Sequence, residues 1–111
     1  MHTGVPEILI HPENGTELSA GGGILVYCVV HGVRGTVISW SEGGRAVVTD
    51  PHINIFTELI QVEGAPFLKS ILDICKIREV DGGDYSCTAA NLLGNDSFSI
   101  TVDVIAAEGK F

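Results

Sequence analysis

Positive charge is scarce in this chain. Six Lys and Arg stand against 14 Asp and Glu, a formal net charge of −8 over 111 residues. A groove for a phosphate backbone or a surface for an anionic membrane needs the opposite sign, so neither nucleic acid nor direct membrane binding is expected of this segment. Long apolar runs are missing too. The longest, Ile24 to Val30, has the length of a strand and falls far short of the ~20 residues of a membrane span. Three cysteines, Cys28, Cys75 and Cys87, are too few for a disulfide-dense miniprotein. Their odd number leaves at least one thiol without a partner in the chain. No signal-peptide pattern is visible, and Met1-His2-Thr3-Gly4 reads as an appended end, so any secretion or anchoring signals are expected outside this segment.

What is present is hydrophobic content of 45% against 18% charged residues, the composition of a packed domain and not of a disordered chain. The length suits one domain, expected over residues 5–105 with residues 1–4 and 106–111 as flanking ends. Helical periodicity is absent; the apolar period is two almost everywhere. Strands are predicted at Ile8–Ile10, Ile24–Val30, Thr36–Ser41, Arg45–Thr49, Ile53–Ile60, Leu68–Ile77, Tyr85–Ala90 and Phe98–Val104. Turn signals separate them: Asn14-Gly15, Gly21-Gly22-Gly23, Gly43-Gly44, Asp50-Pro51, Gly64-Ala65-Pro66 and Leu93-Gly94-Asn95-Asp96. Short strands at this spacing read as an all-β antiparallel sandwich or barrel.

Three features narrow that class. Trp40 follows Cys28 by twelve residues and precedes Cys87 by forty-seven. Asp81-Gly82-Gly83-Asp84-Tyr85-Ser86-Cys87 puts a tyrosine two residues before a cysteine. Leu72, Ile74 and Ile77 lead into it, and Cys87-x-Ala89-x-Asn91-x-x-Gly94 continues it. From about Ile8 to Val104 the chain resembles an immunoglobulin domain, and the intermediate (I-set) class in particular. The resemblance implies a two-sheet Greek-key sandwich, lettered A-B-E-D and A′-G-F-C-C′, with no catalytic site and no cofactor. It also implies a Cys28–Cys87 bridge between the sheets, with Trp40 packed on the sulfurs and Leu72 and Tyr85 in the core. Members of the class normally pair an aspartate at the Asp81 position with a base near strand D. Residues 50–56 offer only His52, so this corner is expected to be weaker than usual. Cys75 is a departure from the family pattern.

Nothing else in the chain rises to a chemical motif. His2, His11, His31 and His52 stand alone, without Cys or His at metal-ligand spacing. Gly21-Gly22-Gly23 precedes a strand and lacks a following Lys-Ser/Thr, so it is a turn and not a phosphate cradle. No nucleophile elbow surrounds Ser39, Ser41 or Ser86. An enzyme is not expected. Two N-glycosylation sequons, at Asn14 and Asn95, fall in expected turns. They favour an extracellular interaction module from a larger secreted or membrane-anchored protein, such as an adhesion molecule or receptor. An intracellular structural module of muscle or cytoskeleton, with Cys28 and Cys87 reduced, is the rival reading.

Phasing the strands on the cysteines also says what faces outward. On the G-F-C side the outward residues are hydroxyl-bearing: Ser39, Ser41, Ser86, Thr88, Ser97, Ser99 and Thr101. On the B-E-D side they are Leu25, Tyr27, Val29, Phe56, Ile71 and Cys75, interrupted by Asn54, Lys69 and Asp73. A solvated sheet face is normally polar, and a contiguous apolar patch marks an interaction site. The expected partner is a protein, with a two-fold homodimer through this face as the specific expectation and Cys75 at its centre.

Overall fold

The computed structural model describes residues 4–10, 16–31 and 34–105. His2, His11 and Asn14 lie outside the described residues. Strands run in the order β1 (Glu7–Ile10), β2 (Thr16–Ser19), β3 (Ile24–His31), β4 (Val37–Glu42), β5 (Arg45–Ala46), β6 (Ile53–Val62), β7 (Ala65–Ile74), β8 (Gly83–Asn91) and β9 (Gly94–Ile105). A single 3₁₀ turn, Glu79–Asp81, links β7 to β8. One sheet has the order β1-β3-β7-β6 and the other β2-β9-β8-β4-β5. Neighbouring strands are antiparallel except β2, which pairs parallel to β9 from Thr16↔Val102 to Ser19↔Ile105.

Three local differences from the sequence reading have physical causes. β2 is absent from the strands that alternation predicts and is implied only by the family resemblance, as the A′ strand beside G. The β6–β7 reversal is tighter than Gly64-Ala65-Pro66: Glu63 and Gly64 take φ of 51° and 83°, and Ala65 and Pro66 join β7. A proline is tolerated there because β3 pairs with β7 only as far as Leu68, so Pro66 has a strand on one side alone. The β8–β9 reversal spans only Leu92 and Leu93, which places Asn95 in β9 opposite Ala90 and not in the turn.

The core lies between the sheets. It comprises Val26, Cys28 and Val30 of β3, Trp40 of β4, Leu72 and Ile74 of β7, Tyr85, Cys87 and Ala89 of β8, and Ile100 and Val102 of β9, with Ile77 just past β7. These are alternate residues of each strand, as a sheet with one buried face requires. Cys28 and Cys87 are joined by a disulfide across the two sheets. A second tie crosses beside it. Trp40 Nε1 donates to Ser70 Oγ at 2.9 Å, and Ser70 Oγ is 2.9 Å from Thr57 Oγ1. Ser70 is fully buried directly opposite Cys28 on the neighbouring strand. That position is inward by alternation, so a serine there must find a partner or cost roughly 1–3 kcal/mol.

The Asp81 corner corrects the expectation of weakness. His52 Nε2 does reach Asp81 Oδ2, at 2.9 Å. The missing base near strand D is supplied from three residues upstream. Arg78 donates its backbone N–H to Asp81 Oδ2 at 2.7 Å and its guanidinium to Oδ1 at 3.3 Å. The Tyr85 hydroxyl donates to the Asp81 carbonyl, closing the corner. Burial pushes the Asp81 carboxyl up, but the Arg78 backbone and side chain and the His52 ring outweigh it, so the carboxyl sits below its ordinary value of 3.8. Burial, then the charges of Asp81 and Glu42, push Tyr85 up to about 12.

These two shifts act at opposite ends of the pH scale. A carboxyl depressed by folding contributes stability that is complete above its unfolded value and is lost as pH falls through the folded one. A raised tyrosine contributes stability that is complete below its unfolded value of about 10 and is lost as pH rises toward 12. The urea midpoint is therefore expected to be flat through neutrality and to fall below about pH 4 and above about pH 10. Asp81→Asn should flatten the acid limb, and Tyr85→Phe the alkaline one. Unchanged limbs in both variants would remove the corner from this account.

Candidate protein-interaction surface

The outer faces of the two sheets differ in kind. On β8 and β9 the outward side chains are paired hydroxyls, with Ser86 and Ser99 at 2.7 Å and Thr88 and Ser97 at 3.0 Å. Cross-strand hydroxyl pairs satisfy each other and water equally well, which makes this an ordinary wet face. Asn95 is exposed on the same outward side of β9.

On β3, β7 and β6 the residues opposite one another share a face, and their rows follow from the register. The central row is Tyr27, Ile71 and Phe56. On one side lies the row Leu25, Asp73 and Asn54, and on the other Val29, Lys69 and Glu58. Leu25 is 61% and Phe56 57% exposed, while Tyr27 and Ile71 are partly covered. The Lys69 ammonium sits 5.6 Å from the Tyr27 ring centroid, a cation–π distance that lays the lysine along the aromatic row. A further row continues the patch, where His31 stacks on Phe67 with centroids 5.0 Å apart.

Two residues do not sit as the sequence suggested. Val29 lies on the outer side by alternation yet is only 4% exposed, between β1 and β7 in the sheet, so it is a covered position and not a contact. Cys75 is exposed but is not central. β7 ends at Ile74, and Lys76 turns the chain with φ of 51°. The thiol lies at the foot of the sheet, 3.5 Å from the His52 carbonyl. Alternation cannot show either effect, because it carries no information about what an adjacent strand covers or where a strand stops. Among the described residues, no group of three His, Cys, Asp or Glu side chains can hold a metal ion.

Two sheets closed face to face, antiparallel but for β2 at one edge, tied by a disulfide with a tryptophan beside it and a tyrosine corner, define an immunoglobulin-type domain. The profile of the Immunoglobulin I-set domain matches residues 6–104, and the chain belongs to that family. It is 31% identical over 106 residues, 92% of its length, to neuronal cell adhesion molecule of Gallus gallus, of which it spans 7%. It is 31% identical over 81 residues, 73% of its length, to myotilin of Mus musculus, of which it spans 15%. Among solved structures, an immunoglobulin domain in the complex of titin M10 with obscurin-like 1 superposes with a TM-score of 0.77 at 23% identity. That match covers 95% of this chain and 97% of the other. The chain thus spans a small part of the curated relatives it matches.

Proposed function

We propose that residues 5–105 form a non-enzymatic protein-interaction module of a larger secreted or membrane-anchored protein. It docks another protein through the outer face of β3, β7 and β6. The observation that carries this reading is the row Tyr27–Ile71–Phe56 on a sheet face where polar residues would ordinarily stand. Asn95 heads a sequon and is exposed on the opposite sheet, so a glycan there would leave the docking face clear. Likeness to a neuronal cell adhesion molecule supports the extracellular setting. Likeness to myotilin keeps an intracellular structural module as the second reading.

The settings separate on covalent chemistry. Protein taken from its native source is expected to carry the Cys28–Cys87 bond and a glycan on the peptide containing Asn95. Mass spectrometry before and after enzymatic deglycosylation reads both, and Asn95→Gln should remove that glycan. Reduced cysteines and a bare Asn95 would reverse the choice in favour of the structural module.

A further inference from the structure

The geometry points to a second copy of this chain as the partner, packed antiparallel about a two-fold axis over Ile71. This rests on the reading of the β3-β7-β6 face as a docking surface and goes further by fixing its occupant and register. A two-fold axis between two facing sheets lies in one of two simple directions. Along the strands, it would hold the strand level fixed, setting Asp73 at the level of Asp73 and Lys69 at the level of Lys69. Across the strands, it lays each strand over its own copy, reversed. The rows on either side of Ile71 then exchange.

That exchange is complementary for the polar residues. Asp73 lies over Lys69 of the second copy, and Lys69 over its Asp73, giving two opposite-charge pairs. Asn54, which can donate, lies over Glu58, which can only accept. Leu25 lies at the level of Val29, a covered position that makes no contact of its own. The central row meets itself, Tyr27 to Tyr27 and Phe56 to Phe56, in the apolar middle that an isologous contact requires. Packed sheets cross at about 30°, and Lys69 and Asp73 sit about 7 Å from the axis. The crossing displaces the pairs sideways by roughly 4 Å, less than one strand spacing and within reach of a lysine. The same register places Cys75 over Phe67. The two Cys75 positions fall about 27 Å apart, far beyond disulfide range, so the contact does not depend on oxidation.

Each copy carries −8, so like-charge repulsion opposes the contact. The contact is therefore weak. The test is sedimentation equilibrium at about 0.15 M salt, up to millimolar chain, with melting curves confirming that each variant folds. The parent is expected to dimerise reversibly, unchanged by reductant or by Cys75→Ser. Lys69→Asp and Asp73→Lys alone should each weaken association about tenfold, since each turns both pairs repulsive. An equimolar mixture of those two variants, or the doubly reversed chain, should recover it. Phe56→Asp should abolish it. A parent that stays monomeric at millimolar concentration overturns the second copy as partner. Association lost in Phe56→Asp but indifferent to the charge reversals overturns the register while keeping the face as the docking site. Association indifferent to Phe56→Asp as well overturns both.

Discussion

Trp40→Ala is expected to lower the unfolding free energy by about 3–5 kcal/mol, as large-to-small changes do in packed cores. Trp40 is one of the largest side chains between the sheets, and little of it meets solvent. Truncation leaves a cavity against Cys28 and Cys87 and takes away the donor that Ser70 accepts from. A fall in melting temperature on the order of 15 °C follows for a domain of this size. Trp40→Phe isolates the polar part. It keeps most of the packing and drops the indole N–H, so its cost should be near 1–2 kcal/mol, with Ser70 still bonded to Thr57. Urea unfolding followed by circular dichroism measures both. A Trp40→Ala chain within 1 kcal/mol of the parent would contradict the placement of this side chain.

Removing the Cys28–Cys87 bond is the second large effect. The bond closes a sequence separation of 59, and restricting the unfolded chain over such a loop contributes about 4 kcal/mol in the chain-entropy description. Cys28→Ala with Cys87→Ala is expected to lose most of that, with the sulfur packing lost in addition. A reducing buffer should shift the parent's urea midpoint and leave the double variant unmoved. An equal shift in both would mean that reductant acts through Cys75 instead.

The fold was legible because its signal is redundant. One inward residue fixes the phase of a strand of period two, and Cys28, Trp40 and Cys87 each supply one for a strand of the sandwich. The register between strands was not legible from any strand alone, and the candidate surface depends on it. That Phe56 stands beside Ile71 comes from the β6–β7 turn at Glu63–Gly64, one residue away from where the Gly-Ala-Pro signal suggested, while Ile71 stands beside Tyr27 through the separate β3–β7 register. The role of Arg78 was hidden for a different reason. A base near strand D is the usual partner of this aspartate, whereas here a 3₁₀ turn folds Arg78 back on it within three residues. Ser70 was visible in principle, as a polar residue at an inward position between Leu68 and Leu72, but its partner Trp40 is thirty residues away in sequence.

The end of β7 at Ile74 bears on which thiols could pair if the chain were oxidised. Cys75 leaves the ribosome before Cys87 does, so in an oxidising compartment Cys28 meets the wrong thiol first. β3 and β7 both precede β8 in the chain. Their register sets Cys28 opposite Ser70, five residues short of Cys75. That is about 17 Å along the strand, against the roughly 4.4–6.8 Å between Cα atoms that a disulfide spans. Cys28 also points into the forming core while Cys75 lies exposed at the sheet's foot. The native register of these two strands thus keeps Cys28 out of reach of Cys75 and leaves it facing Cys87.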